Sequence, residues 1–370
     1  MERILSIDDL ERLAIGAGIL GTGGGGNPYL GKIHALKYLK RGVEIRIIDL
    51  EDVPDDALVT SVGGMGAPTV GIERLSRGDE TLRAMQGLSR YIGRDFTHLI
   101  AGEIGGSNAI APIIVAAQCG LPVIDGDGMG RAFPELQMDT FMIAGISPTP
   151  AVIADHLGHE TVFDNISDPT TVERYARAVT IQMGGGAGLA VPVMTGKQVR
   201  DAAIPGTVSL AIAIGDAVLH ARSGRGNPVD AALAVSGGRR LFAGKITNVE
   251  RRNEGGFARG LLHVDGSGND SGRSVTIDFQ NENLIVRTND GEILAVVPDL
   301  ICLVDEDTAE PITTEILRYG LRVVVVGIPA PGQLKTEAAL KLIGPAAFGY
   351  PDVPYLPMPG VYGQRTAPVS

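Results

Sequence analysis

With 370 residues, 44% hydrophobic and 20% charged, the chain has the composition of a globular protein and room for two domains. A net charge of −11, a pI near 5.1 and no Lys/Arg run interleaved with aromatics exclude nucleic acid as a natural partner. No apolar run reaches the roughly 20 residues of a membrane span, and the acidic start MERILSIDDLERL does not read as a secretion signal. The 51 glycines occur in clusters, without a collagen period, and so point to tight turns and close backbone approaches.

Ile7 to Leu20 reads as a helix with Leu10, Leu13, Ala14 and Ala17 at helical spacing, and Ser6 with Asp9 resembles a capping box. It runs into GTGGGGNPYLG at 21–31, followed by a helix over Lys32–Lys40 and a strand over Val43–Leu50. Gly23, Gly24, Gly25 and Gly26, with Asn27, leave unhindered N–H groups able to cup an anion or a carbonyl oxygen. A loop needing only positive φ is the bland alternative. No Gly-Lys-Ser/Thr follows, and the loop succeeds a helix rather than a strand, so neither a Walker loop nor a dinucleotide fingerprint is present and no nucleotide cofactor is expected.

Ala57–Val62 reads as a strand ending in a second glycine loop, 63–71, with a largely helical stretch over Ile72–Tyr91. The strand His98–Ala101 delivers Glu103 and Asn108 in a third such loop. A helix over Ala109–Gln118 and a short strand, Leu121–Ile124, complete an α/β unit that ends in Asp125-Gly-Asp127-Gly, then Arg131 and Glu135. Ligands of open α/β sheets bind where strand C-termini meet loops. Asp125 and Asp127 two apart can hold a divalent metal or share a proton; alternatively each ties off its own turn. Arg131 and Glu135 can form an ordinary i,i+4 pair, and Pro134 can start a helix carrying Glu135 and Asp139.

Thr149–Asp155 reads as a strand, Pro169–Met183 as a helix, 184–190 as another glycine cluster, and Val208–Arg222 and Pro228–Val235 as helices. From about 241 to 330 short alternating strands with Asn-Asp-Gly and Gly-Ser-Gly turns predict a β-rich segment, and the Gly/Pro-rich tail is expected to wrap across another surface. The fold class is therefore α/β: an N-terminal domain, residues 1–165, with a mostly parallel sheet and helices on its faces, then a C-terminal α+β domain, 166–370. Cys119 and Cys302 each read as small core residues of a reduced, cytoplasmic protein. His156 and His159 have a zinc-compatible spacing but read as surface, and there is no HExxH and no Gly-x-Ser-x-Gly.

The stretches GTGGGGNPYLGK, GGMGAPTVGIE, EIGGSNAIAP, PVIDGDGMGRAFPELQM, GKITNVERRNEGGFARG and EPITTEILRYGLRV together resemble the S-methyl thiohydantoin desulfurase family, over roughly residues 7 to 350. The resemblance implies an N-terminal α/β domain and a β-rich C-terminal one. It also implies a hydrolase acting on a small five-membered ring, in which water replaces a methylthio group to give a hydantoin and methanethiol. On that chemistry Glu103, Asp125, Asp127, Arg131 and Glu135 are the catalytic candidates, with Gly23–Gly26, Asn27 and Asn108 binding substrate. In a metal version, Asp125 and Asp127 hold Zn, Mn or Mg. The runner-up is a non-catalytic small-molecule-binding partner of a hydantoinase or oxoprolinase. The expected partner is a heterocyclic substrate, together with hydantoinase or oxoprolinase pathway proteins, and a homo-oligomer is the base expectation.

Overall fold

A computed structural model describes residues 2–66, 70 and 76–363. Among the described residues the first sheet contains nine strands, in the order β1 (Glu2–Ile4), β2 (Arg46–Asp49), β5 (Val123–Asp127), β4 (His98–Ala101), β3 (Leu58–Gly66), β8 (Gly186–Thr195), β6 (Ala151–Ala154) and β7 (Glu160–Phe163), with β9 (Ile204–Pro205) pairing β5 off this path. β2, β5, β4 and β3 are parallel neighbours. β6, two antiparallel steps from β3, runs in the same direction, so the mostly parallel α/β sheet is as expected. β8 and β9 come from beyond residue 166, so the chain passes that position without leaving the sheet.

The first helix, α1 (Ile7–Leu20), starts at the expected residue because the capping box closes: Asp9 N–H donates to Ser6 Oγ at 3.0 Å, and Ser6 N–H to Asp9 Oδ2 at 3.1 Å. The second, α2 (Pro28–Leu39), starts four residues earlier than expected, since Asn27 caps it through the Tyr29 N–H and Pro28 suits the first turn. Residues 63–66 belong to β3, paired with 186–189, so the second and fourth glycine clusters meet as strand rather than loop. Of the expected helix over 72–91, Glu80–Ile92 is helical, and residues 67–69 and 71–75 lie outside the described residues.

The second sheet is antiparallel, in the order β14 (Ile293–Val296), β13 (Glu282–Thr288), β12 (Ser274–Gln280), β11 (Phe257–Gly266), β10 (Arg239–Glu254), β16 (Arg322–Ile328) and β15 (Leu300–Asp305). It curls until β13 approaches β15, where Asn283 Nδ2 donates to the Ile301 carbonyl at 2.9 Å. Between the sheets lie α1 and the helix Thr207–His220, crossing so closely that a Cβ on Gly16 would stand 1.9 Å from the Ala211 carbonyl oxygen and one on Gly215 1.9 Å from that of Arg12. One core joins Leu10, Leu13 and Val208 to Val304 and Val326 of the second sheet. The tail does wrap the junction: Tyr362 O–H donates to the Gly130 carbonyl at 2.7 Å. Among the described residues, no helix is long and apolar enough to cross a membrane. Cys302 is buried as expected, whereas Cys119 is exposed at the last turn of the helix Ala111–Cys119.

Candidate functional site

The C-terminal ends of the parallel strands converge on the loop 102–108, which carries Glu103. The residue is 8% exposed. Oε1 accepts from Asn108 Nδ2 at 2.5 Å, and Oε2 from the Phe133 N–H at 3.1 Å. Burial outweighs these bonds and pushes the group up to about 7. Asn108 is fixed in turn at the end of β3, where Gly64 N–H donates to its Oδ1 at 2.8 Å. Around Glu103, Gly25, Gly26, Gly63, Ser107 and Asn108 are half-buried, and Asn27 and Gly64 are exposed.

The tetraglycine loop faces the same place from the other side. Ser107 N–H donates to the Gly25 carbonyl at 2.9 Å, locking the 21–26 and 102–108 loops together. Its N–H groups are turned towards the protein itself. That of Gly24 donates to the Gly21 carbonyl at 2.8 Å, that of Gly25 lies against the Glu282 carboxyl group, and that of Asn27 lies near Glu315. The anion expected in this cup is thus occupied in part by carboxyls of the second domain. Gly24 leaves room for the Glu282 carboxyl: a Cβ there would stand 1.9 Å from Glu282 Oε1 and push it aside.

Asp125 and Asp127 are not turn residues: β5 continues through both, with Asp49 opposite Asp125 and Ala101 opposite Asp127. Each carboxylate is committed to backbone amides. Asp125 accepts from Ser209 N–H at 3.0 Å and from the Ser209 hydroxyl, which ties β5 to the first turn of the Thr207–His220 helix. Asp127 Oδ2 accepts from the N–H groups of Ile104, Met129 and Gly130 at 2.8, 3.0 and 2.8 Å. Its Oδ1 and the neighbouring Thr207 hydroxyl lie close together but complete no hydrogen bond. Burial pushes Asp127 up to about 7, as it does Asp139, which caps the helix Thr140–Ile143. Three amide protons occupy Asp127 Oδ2, and Ser209 occupies both oxygens of Asp125. Among the described residues no three His, Cys, Asp or Glu side chains are grouped to hold a metal ion.

Arg131 is fully buried and forms no pair with Glu135. Its Nε donates to the Ala132 carbonyl at 2.9 Å, Nη1 to those of Pro298 and Asp299 at 3.0 and 2.9 Å, and Nη2 to Thr22 Oγ1 at 3.0 Å. Burial lowers its pKa to about 10, and Glu282 is the largest charge opposing that fall. Arg131 therefore joins the glycine loop to the second sheet. Glu135 precedes a short 3-10 turn, Leu136–Met138, rather than riding a helix; it accepts from Gln137 Nε2 and lies beside Glu173 and Arg177. Asp155, at the end of β6, holds His159 at 2.8 Å, which accounts for that histidine without a metal.

Glu282 is not among the residues that the sequence singles out, because it lies within the alternating β-rich segment. Asn281 makes a turn there, with φ 55°, and the next residue points inward and is 2% exposed. Its position beside a glycine loop some 260 residues earlier leaves no local trace.

Comparison with known proteins agrees with this layout. The description "S-Me-THD-like, N-terminal domain" matches residues 8–165, and "S-Me-THD-like, C-terminal domain" matches 167–358. The X-ray crystal structure of a protein from Chromobacterium violaceum is similar at a TM-score of 0.76 and 27% identity, covering 96% of this chain and 99% of that one. No curated protein matches the chain. With both halves matched in order, the chain belongs to the S-Me-THD-like family, that of S-methyl thiohydantoin desulfurase.

Proposed function

We propose that the protein is a hydrolase of the S-methyl thiohydantoin desulfurase type, replacing the methylthio group of a five-membered ring with oxygen from water. Family membership supplies the substrate class. The observation that carries the chemistry is Glu103, a carboxyl pushed up to about 7, held by two hydrogen bonds and placed beside a half-buried glycine rim. A general base works best with a pKa near the working pH.

In this reading a ring enters at the rim formed by Gly63, Gly64, Gly26 and Asn108. Ionised Glu103 takes a proton from water as the C–O bond forms at the ring carbon bearing sulfur. The electron pair of the C=N bond moves to nitrogen, and the C–S bond then breaks. Methanethiolate is a far better leaving group than an alkoxide, so departure needs only the proton Glu103 has gained. Asn108 positions the base. Asp125 and Arg131 hold the framework, and Glu135 lies with Glu173 and Arg177.

The test is thiol release from an S-methyl thiohydantoin by the purified protein, with hydantoin identified as the second product. Turnover that falls about 10²- to 10⁴-fold in Glu103→Gln supports the reading. Tight binding of the ring with no thiol released by the wild type overturns it and indicates a binding subunit.

A further inference from the structure

Glu282 stands outside every role described above, yet its setting is unlike that of an ordinary structural acid. It is 2% exposed and comes from the β12–β13 hairpin of the second sheet, while Glu103 and Asn108 come from the loop after β4 of the first. Its carboxyl is pressed into the glycine loop, and a side chain at Gly24 would collide with it. One oxygen, Oε2, has no hydrogen-bond partner although it is buried. The adjacent Gly25 carbonyl is bonded to Ser107 N–H and Oγ, on the loop that carries Glu103. Arg131 stands between: its guanidinium bonds Thr22 of the glycine loop, stands 3.5 Å from the Asn283 carbonyl, and feels the charge of both Glu282 and Glu103.

A buried carboxyl oxygen left without a partner is destabilising. A chain that only needed to fill the Gly24 gap could do so with an apolar side chain or an amide. The carboxyl is therefore kept for something it can do when a ligand arrives. Two carboxyls whose surroundings drive their proton affinities apart are the usual arrangement for an acid and a base working together. Glu103 and Glu282 repel one another, so Glu282 is the one that keeps its proton, its affinity pushed well above the ordinary range first by burial and then by Glu103.

We propose that Glu282 is the acid partner of Glu103, donating a proton from the glycine loop to the ring nitrogen as water adds to the carbon bearing sulfur. This rests on the reading of the protein as an S-methyl thiohydantoin hydrolase. In the first step Glu103 takes a proton from water, the C–O bond forms, and the C=N electron pair picks up the proton of Glu282. In the second the C–S bond breaks, the hydroxyl proton of the tetrahedral carbon returns to Glu282, and the proton on Glu103 goes to the departing thiolate. Both carboxyls finish as they began, and the sum is ring plus water to hydantoin plus methanethiol. The site is thus complete only when the two sheets are docked.

The experiment compares wild type with Glu282→Gln, which keeps shape and removes the proton. Thiol release from an S-methyl thiohydantoin is followed across pH, with thermal melting and hydantoin binding as checks on folding. Two results are expected together: kcat falls about 10²- to 10⁴-fold, and the alkaline limb of the wild-type profile disappears while the acid limb set by Glu103 stays. A variant that folds, binds hydantoin and retains kcat within a few-fold overturns the proposal. So does one whose activity falls with both limbs still in place, the mark of a structural role. Should the variant not fold, Glu282→Asp in the folded protein must keep the alkaline limb at reduced kcat; its loss of the limb counts against the proposal. A wild type that releases no thiol overturns the parent reading and this inference with it, whereas turnover by wild type separates the two.

Discussion

Asn108 Nδ2 lies 2.5 Å from Glu103 Oε1, and the same side chain holds the Gly64 backbone at the end of β3. One residue therefore sets both the rim of the site and the proton affinity of its base. The amide favours ionised Glu103, opposing the burial that raises it.

Asn108→Ala removes that bond and pushes Glu103 further up. The ionised form is the active one, so the acid limb of kcat/KM moves to higher pH. A hydrogen bond to a charged group contributes about 1.5–3 kcal/mol, so activity at pH 7 falls by roughly 10-fold or more and recovers in part at higher pH. A pH–rate profile checks this; an acid limb at the wild-type position contradicts it.

Asp125→Ala separates framework from chemistry. The side chain ties Ser209, in the first turn of the Thr207–His220 helix, to β5. Losing such a cap costs about 0.5–2 kcal/mol. The expected outcome is a lower denaturation midpoint with kcat and KM little changed.

Arg131→Met tests the docking of the two sheets. It takes a donor from the Pro298 and Asp299 carbonyls and from the Thr22 hydroxyl, which keeps its own bond to the Gly21 carbonyl, and it removes the positive charge that Glu282 feels. Removing one partner from a buried charged set costs about 3–5 kcal/mol. Denaturant unfolding measures it, and a loss under about 1 kcal/mol would show that Arg131 is not the joint described.

Asp127 and Asp139, both pushed up to about 7, give stability a pH dependence. Their carboxyls bind protons more tightly folded than unfolded. Their contribution is therefore fully present below about pH 4 and is lost as pH rises through about 7. Asp127→Asn removes one of these titrations while the amide oxygen can still accept from Ile104, Met129 and Gly130. The melting temperature of the variant is expected to fall less than that of wild type between pH 5 and 8; thermal melts across that range check it.

Much of the frame was legible because its signals are local. Ser6 and Asp9 cap α1 three residues apart, and the alternating β segment and its turns carry their own pattern. Glu103 and Asn108 were legible as a pair because they share one loop. The roles of the aspartates were not: Asp125 finds Ser209 84 residues later and Asp127 finds Ile104 23 residues earlier, so an apparent Asp-Gly turn is a strand tied from outside. The tetraglycine loop reads as an anion cup, but the group against it is the Glu282 carboxyl, from the opposite half of the chain.

The most direct measurement is the pH profile of thiol release from an S-methyl thiohydantoin by wild type and Glu103→Gln. The wild type should release methanethiol with an acid limb near pH 7, and the variant should lose about 10²- to 10⁴-fold. A Glu103→Gln protein with wild-type turnover and the same acid limb would contradict the assignment of Glu103 as the base.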